Sequence, residues 1–297
     1  MHKTAQQPYP DLRGDYSQME ADYTVEQDWF RYTEEEHARW RLLYRRQAKL
    51  LERYAAPEFV AGITALDAAG QIPDLAIASR RLQAASGWQL VTVPGLIPET
   101  DFFAHLAKRQ FPVTEWIRRA DEIDYLVEPD IFHDFFGHVP LLFNPVFADY
   151  MQIYGEKGAE ASRLETSKIL VRLYWYMVEF GLIRTEQGLK AYGAGMLSSA
   201  AETRFSIEDK SPHRIGFDLE RVLRTTYRID DFQETYFVLD GFEQLFEATR
   251  RDFAPIYGRI AAESELSPDV TLVTDRVITR GDGSWKRRRK TAASVAA

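Results

Sequence analysis

The sequence has 297 residues, of which 45% are hydrophobic and 28% charged, and it carries a formal net charge of −8. These values are typical of a globular protein of one or two domains, and they exclude collagen-like, mucin-like and wholly disordered chains. Cysteine is absent, which excludes disulfide scaffolds, thiolate zinc sites, iron–sulfur clusters and cysteine nucleophiles. Any metal site must therefore use nitrogen and oxygen ligands, and six histidines are available for it.

The two ends of the chain differ from its body. Residues 1–25 are polar and follow no sustained period, so we expect a flexible N-terminal arm there. Residues 263–297 are expected to form a C-terminal extension whose tail, residues 280–297, is basic and disordered, with six Lys and Arg residues against Asp282. The acidic body argues against binding to nucleic acid. No apolar stretch resembles a secretory signal or reaches the roughly 20 residues of a membrane span, so we expect a cytoplasmic protein with no membrane contact.

Between these ends, helical patterns dominate residues 26–262 and strands are few and short. Thr33 and Glu36 form a capping box that predicts the start of a long helix ending near Tyr54. Further helices are predicted near 58–69, 75–86, 98–108, 163–183 and 242–262, strands near 88–93 and 234–240, and a strand, turn and short helix over 190–199. The pattern predicts a single, mainly α domain.

His133 and His138 are the two histidines closest together in the sequence. Residues five apart diverge by about 140° on an ideal α-helix, so these rings can bind one ion only where the helix ends or bulges. Gly137 and Pro140 provide such an irregularity. The alternative interpretation is one core histidine and one histidine at a helix end.

Glu179 stands alone among apolar residues in the predicted helix 163–183. A buried carboxylate must be paired or coordinated. One alternative is an ion pair, either with an arginine from another element or with Lys168 and Arg172, which lie within about 20° of it on the helical wheel. The other alternative is a third metal ligand beside the two histidines. Two histidines and a carboxylate serve both Fe(II) oxygenases and zinc hydrolases, so the ligand types leave both classes open.

The remaining histidines show no such pattern. We expect structural or solvated roles for His2, His37, His105 and His213.

Four sequence motifs occur in order along the chain. They are PGLIPETDFFAHLAKRQFPVTEWIR at 94–118, EPDIFHDFFGHVP at 128–140, LYWYMVEFGL at 173–182 and AYGAGMLSS at 191–199. On these motifs the chain resembles the aromatic amino acid hydroxylases over roughly residues 22–258. The resemblance implies a catalytic domain of that type and a non-haem iron monooxygenase. It further implies conversion of L-phenylalanine into L-tyrosine with O₂ and a tetrahydropterin, either tetrahydrobiopterin or a related one.

The resemblance also implies three sets of site residues. The catalytic residues and Fe(II) ligands would be His133, His138 and Glu179. The tetrahydropterin would contact Gly95, Ile97, Phe102, Asp134 and Tyr174, with the Phe102 ring stacked on it. The substrate carboxylate would pair with Arg118, whose guanidinium Asp130 steadies. The rest of the amino acid pocket would be Tyr125, Pro129, Trp175, Phe180, Gly195 and Ser198.

Three alternatives to phenylalanine hydroxylation follow from these observations. A tyrosine or tryptophan hydroxylase belongs to the same family, although Trp175 favours phenylalanine over tryptophan because the tryptophan enzymes carry Phe there. A zinc hydrolase would use the same three ligands. A nucleic-acid-binding protein would act through residues 285–290, WKRRRK. The C-terminus shows no heptad pattern, so we expect a monomer.

Overall fold

The computed structural model describes residues 12–124 and 126–289. Helices dominate it, as the sequence predicts, and the capping box is present at the first long helix, where the Thr33 N–H donates to the Glu36 carboxylate at 2.8 Å. The α-helices of the described chain are α1 (Glu34–Tyr54), α2 (Pro57–Leu66), α3 (Leu75–Ser86), α4 (Glu99–Ala107), α5 (Pro145–Arg163), α6 (Ser167–Leu173), α7 (Ala194–Leu197), α8 (Ala200–Glu208), α9 (Leu219–Arg224), α10 (Phe242–Thr249) and α11 (Ala254–Ala261).

Two small sheets lie among these helices. The first is a parallel pair, β1 (Gln89–Val93) with β2 (Gln110–Thr114). The second has five strands in the order β4-β3-β6-β5-β7, with parallel pairs at its centre and antiparallel pairs at both edges. Its strands are β3 (Leu182–Thr185), β4 (Gly188–Ala191), β5 (His213–Gly216), β6 (Thr235–Leu239) and β7 (Val277–Thr279).

Two of the long predicted helices are interrupted. The helix predicted over 242–262 is two helices, because Pro255 lies in the first turn of α11, where its missing N–H does no harm, but would break a continuous helix. The helix predicted over 163–183 is broken at Glu165, whose φ of 57° is left-handed. The chain re-enters a helix at α6 and continues directly into a π-helix, Tyr174–Glu179.

The core is one continuous apolar cluster, and the site lies within it. Helix α5 packs between α4 and α10. Helix α2 packs on the 3₁₀ segment Val139–Phe143, which directly follows another π-helix, Phe132–His138. In the described residues, no helix is both long and apolar enough to cross a membrane.

Residues 12–25 do not behave as the flexible arm that the sequence predicts. Tyr16 is buried and its hydroxyl donates to the carbonyl of Leu96 at 2.8 Å. The imidazole of His105 hydrogen-bonds the carbonyl of Asp22 at 2.8 Å, and Val25 forms a β-bridge with Thr92. Composition does not predict this packing, because the segment is held by a few isolated residues that leave its average polarity unchanged. Residues 1–11 lie outside the described chain.

The C-terminal extension likewise packs on the domain where the sequence predicts a disordered tail. Strand β7 pairs with β5 at the edge of the five-stranded sheet, and Trp285 packs on Phe205 and Phe232. Basic residues of this segment form ion pairs with carboxylates of the domain. The Lys286 Nζ, for example, lies 2.8 Å from the Glu234 carboxylate. Residues 290–297 lie outside the described chain.

Candidate metal centre and flanking pockets

The two histidines of the closest pair lie on one π-helix, Phe132–His138. The i→i+5 hydrogen bonding of a π-helix brings residues five apart onto one side, which an α-helix does not. The Nε2 atoms of His133 and His138 are 3.2 Å apart, with the rings nearly perpendicular at 80°. The bulge that the spacing requires is therefore present, and the two rings converge on one point.

Glu179 ends the second π-helix, Tyr174–Glu179, which a hydrogen bond from the Phe180 N–H to the Trp175 carbonyl closes at 3.1 Å. One carboxylate oxygen lies 3.1 Å from the Nε2 of His138, and the other lies 3.6 Å from the Nε2 of His133. Arg172, the alternative partner, instead donates to a backbone carbonyl and pairs with Glu265. The structure therefore brings Glu179 to the histidines.

A serine fixes the proton position on His133. The Ser198 hydroxyl donates to the carbonyl of Ala194 at 2.8 Å, so its oxygen accepts from the Nδ1–H of His133 at 2.9 Å. With the proton on Nδ1, the Nε2 lone pair faces His138 and Glu179 and is free to bind a cation. Such a bond to the far ring nitrogen is typical of metal-binding histidines.

The charges at this point complement each other. Burial raises the pKa of Glu179, but the neighbouring imidazoles of His138 and His133 outweigh burial and hold that pKa well below its usual value. Burial lowers the pKa of His133, but the carboxylates of Glu179, Asp134 and Asp130 together outweigh burial and raise the pKa. A buried carboxylate facing two imidazole nitrogens fits a divalent cation, since these are the ligands that Fe(II) and Zn(II) accept.

Asp134 is a second carboxylate beside the centre. One of its oxygens lies within 4.8 Å of ligand nitrogens from both histidines, so it too is a possible ligand. Its Oδ2 accepts the backbone N–H of Thr114 at 2.8 Å, which ties the π-helix to β2, and burial raises its pKa. Glu179 is also a candidate third ligand, because its two oxygens face the two histidines separately.

Aromatic rings form one wall of the centre. The Tyr174 ring lies 5.9 Å from the His138 ring, and Phe102 meets Tyr174 edge to face at 5.5 Å. Gly95 and Ile97 lie in the loop between β1 and α4, and a Cβ on Gly95 would approach the Tyr16 hydroxyl to 2.8 Å. Of the five residues predicted for the pterin, Gly95 and Ile97 lie in the loop between β1 and α4 and Phe102 lies in α4. Asp134 and Tyr174 each lie on one of the two π-helices.

Arg118 and Asp130 form a buried ion pair at the start of the helix that carries the two histidines. The guanidinium donates two hydrogen bonds of 2.8 Å, from Nε and Nη2, to the two oxygens of Asp130. Asp130 is fully buried and Arg118 is 6% exposed. A bidentate pair of this kind holds the guanidinium plane in one orientation.

The remaining pocket residues lie around Glu179. Trp175 stacks on Tyr227 with ring centroids 4.5 Å apart and packs on Phe180 at 4.9 Å. Gly195 on α7 must lack a side chain, because a Cβ there would lie 2.9 Å from the Phe180 ring and 3.1 Å from the Glu179 carboxylate. Pro129 immediately precedes Asp130, and Tyr125 lies outside the described residues.

The sequence alone missed two residues of this pocket. Tyr227 stacks on Trp175, and the Oε1 of Gln233 accepts from the indole N–H of Trp175 at 2.9 Å. Neither lies in a motif, and both are more than 50 residues from Trp175 along the chain. The other described histidines, His37, His105 and His213, make hydrogen bonds away from the centre.

A mainly α domain with two histidines and a glutamate converging beside aromatic side chains is typical of a metal-dependent enzyme. The family model of the biopterin-dependent aromatic amino acid hydroxylases matches residues 3–260, and the chain belongs to this family.

Relatives of known name support this placement. The chain is 52% identical over 261 residues to phenylalanine-4-hydroxylase of Ralstonia nicotianae, covering 88% of this chain and 83% of that protein. It is 36% identical to the Bos taurus phenylalanine-4-hydroxylase, covering 76% of this chain and 51% of that protein. Among solved structures, phenylalanine hydroxylase from Chromobacterium violaceum bound to cobalt matches with a TM-score of 0.86 and 51% identity, covering 88% of this chain and 95% of that one.

Proposed function

We propose that this protein is an Fe(II)- and tetrahydropterin-dependent monooxygenase that converts L-phenylalanine into L-tyrosine. The observation that carries the proposal is the convergence of His133, His138 and Glu179 at one point among aromatic side chains. Membership of the biopterin-dependent family and the names of the bacterial relatives support the substrate and the co-substrate.

His133, His138 and Glu179 would hold the metal and leave further coordination positions for the substrates. A bound Fe(II) would supply activation of O₂ with electrons from the pterin, with one oxygen atom entering the substrate ring and the other passing to the pterin. The protein supplies orientation and the exclusion of water. Ser198 favours the neutral tautomer of His133 that carries its proton on Nδ1 and leaves Nε2 to the metal, and Asp134 anchors the ligand helix to β2.

Two opposed pockets orient the reactants. On one side, Phe102 and Tyr174 offer ring faces to the pterin, and the Gly95–Ile97 loop provides backbone groups. On the other side, Arg118 binds the substrate carboxylate, and Trp175, Phe180 and Pro129 enclose its ring next to Glu179. The absence of a side chain at Gly195 leaves Phe180 and Glu179 in their positions. Tyr125 is proposed to complete this pocket on the resemblance alone.

The test is a turnover assay with defined metal. Protein is loaded anaerobically with Fe(II), O₂, tetrahydrobiopterin and L-phenylalanine are added, and tyrosine is measured. We expect tyrosine only with all three additions, and none above background from Glu179→Ala, while Glu186→Ala at an exposed position keeps wild-type turnover. Tyrosine formation that Glu179→Ala leaves intact would overturn the metal assignment. Parallel assays with L-tyrosine and L-tryptophan decide between the family's substrates.

The zinc hydrolase alternative makes a different prediction. A hydrolase would act with Zn(II) and would need neither O₂ nor pterin. Two further properties stay predictions: a cytoplasmic location, and a monomeric state, which size-exclusion chromatography with light scattering would measure directly.

A further inference from the structure

The described part of the chain continues past the region that matches the family model, which ends at residue 260. Residues 277–289, here called the C-terminal strap, cross the sheet edge as β7 and end in a helical turn. The strap lies on residues 228–234, here called the Gln233 loop. This loop precedes β6 and borders the proposed substrate pocket.

Trp285 is the main contact between the strap and the loop. Its ring lies 5.0 Å from that of Phe232 and 5.5 Å from that of Phe205. The indole N–H donates to the Asp231 carboxylate at 2.8 Å, and the backbone N–H of Trp285 donates to the Ser211 hydroxyl at 2.9 Å. The Asp231 carboxylate also accepts the backbone N–H of Phe232 at 2.8 Å, so the strap adds a second hydrogen bond to a side chain that the loop already orients.

Ion pairs add a second connection. The Lys286 ammonium lies 2.8 Å from the Glu234 carboxylate, and the Arg289 guanidinium lies 2.5 Å from the Asp231 carboxylate. Asp231 and Glu234 flank Gln233, so the strap holds the loop on both sides of that residue.

Gln233 transmits this position to the pocket. Its side chain is 4% exposed, and its Nε2 donates to the carbonyls of Arg228 and Asp231 at 3.0 and 3.3 Å. These two bonds orient the amide so that its oxygen accepts the indole N–H of Trp175 at 2.9 Å. The backbone N–H of Gln233 donates to buried Glu202 at 3.3 Å. The amide of Gln233 thus has one orientation, and the loop sets it.

We propose that the C-terminal strap positions the substrate-pocket indole of Trp175 through Asp231 and Gln233, so that affinity for the amino acid depends on a segment outside the matched family region. The proposal rests on the proposed function, because it takes Trp175 to contact the substrate. Trp285, Asp231 and Gln233 are positioning residues. Without the Trp285–Asp231 bond the Gln233 loop moves more freely, and Trp175 loses the acceptor that fixes its ring between Phe180 and Tyr227.

The test compares three variants of the full-length, metal-loaded protein. Trp285→Phe keeps an aromatic ring against Phe205 and Phe232 and removes only the donor to Asp231. Gln233→Met keeps the side-chain length and removes the acceptor for Trp175. Trp29→Phe is the matched control, since it also removes one indole donor, here to the carbonyl of Ile72, on a part of the chain away from the strap. Steady-state kinetics and hydrogen–deuterium exchange by mass spectrometry are measured on each.

For Trp285→Phe and Gln233→Met we expect the KM for L-phenylalanine to rise about three- to tenfold, with kcat and the KM for pterin within about twofold of wild type. Exchange in peptides covering 174–180 rises in both variants, whereas exchange in 277–289 rises only in Trp285→Phe. The double variant is no worse in KM than Gln233→Met alone, because both changes act through one path. Trp29→Phe changes none of these values.

Three results would overturn the proposal. The first is an unchanged KM in Trp285→Phe, and the second is a rise in exchange confined to the strap. The third is a fall in kcat as large as the rise in KM, with exchange raised throughout the chain. The exchange measurement is independent of turnover. If wild-type protein makes no tyrosine, the proposed function fails, and the coupling from residue 285 to residues 174–180 is still decided.

Discussion

The carboxylate of Asp130 accepts three hydrogen bonds from Arg118, one from its backbone N–H at 2.9 Å and two from its guanidinium at 2.8 Å. A fourth bond comes from the backbone N–H of His133 at 3.0 Å. One buried side chain therefore fixes the arginine proposed to bind the substrate carboxylate and also the start of the helix that carries both histidines. The Nη1 of Arg118 takes no part in these bonds to Asp130.

Replacing Asp130 by Asn leaves the Arg118 guanidinium buried without its counter-charge. We expect the free energy of unfolding to fall by about 3–5 kcal/mol, because removing one partner of a buried pair exposes the full desolvation penalty of the other. The KM for L-phenylalanine should rise in the same variant, since Arg118 is no longer held in one plane. Denaturant unfolding and steady-state kinetics measure the two effects.

The matched control for Asp130 is Asp124, which pairs with Arg46 at 2.5 Å but has a side chain that is 83% exposed. Asp124→Asn should change the free energy of unfolding by less than about 1 kcal/mol. Equal effects from the two substitutions would contradict the importance given to burial of the Arg118–Asp130 pair.

Ser198→Ala tests the proton position on His133. Without the hydroxyl acceptor, the Nδ1–H of His133 loses its partner and the ring is free to rotate or to change tautomer. We expect Fe(II) affinity to fall about 10- to 100-fold, the usual effect of removing such a partner. Anaerobic Fe(II) titration measures it. The control is Ser162→Ala, which removes a hydroxyl bonded to the carbonyl of Gly158 at 2.9 Å, away from the centre. An unchanged affinity in Ser198→Ala would refute the tautomer argument.

Signals local in sequence predicted the local structure well. The capping box at Thr33 is present, and the helix predicted near 75–86 is α3, which Asp74 caps at its start and Gly87 ends, because each of these features depends on groups within one turn. The convergence of His133 and His138 was only partly predictable. Their spacing indicates that a bulge is needed, but the π-helix itself depends on packing, since a Cβ on Gly137 would lie 3.0 Å from the Cβ of Ala194.

Contacts between distant segments were the features that the sequence did not reveal. Strands β3, β5 and β7 have only three or four residues, too few to show alternation, and their partners define them. The basic run at the C-terminus was interpreted as a solvated tail because most of its carboxylate partners, Asp209, Asp231 and Glu234, lie about 50 residues away or more. Gln233, which accepts the indole N–H of Trp175, also lies more than 50 residues away along the chain, so no local pattern links the two residues.

Gly62→Ala should displace His138 by pushing on the backbone of Pro140, which follows it in the chain. A Cβ on Gly62 would lie 2.0 Å from the carbonyl oxygen of Pro140, so α2 and the segment after His138 must separate. We expect a loss of about 1–3 kcal/mol in the free energy of unfolding from overpacking, with weaker Fe(II) binding as His138 shifts.

Gly258→Ala is the opposite case and serves as the control for Gly62. Gly258 lies in α11, and nothing in the described chain lies within 4 Å of a Cβ placed there. Alanine is the better helix former, so the free energy of unfolding should rise by about 0.5–1 kcal/mol with Fe(II) affinity unchanged. Thermal and denaturant unfolding compare the two. Destabilisation by both substitutions would show that close packing is not the cause.

Glu202 should make stability depend on pH. Burial raises its pKa from the usual 4.5 to about 7, although the Tyr236 hydroxyl and the Gln233 N–H donate to its carboxylate. The folded state then binds this proton more tightly than the unfolded chain does. The resulting stabilisation is complete below about pH 4.5 and is lost as pH rises to about 7.

Glu202→Gln removes this proton equilibrium, so the variant shows the pH dependence of the rest of the protein. Across the same interval the wild type should lose up to about 3 kcal/mol more of its free energy of unfolding than Glu202→Gln does. Urea unfolding of both proteins at several pH values measures the difference. Glu186→Gln, at an exposed position, should track the wild type throughout. A constant difference between wild type and Glu202→Gln from pH 4.5 to pH 7 would show that Glu202 keeps the same charge in both states.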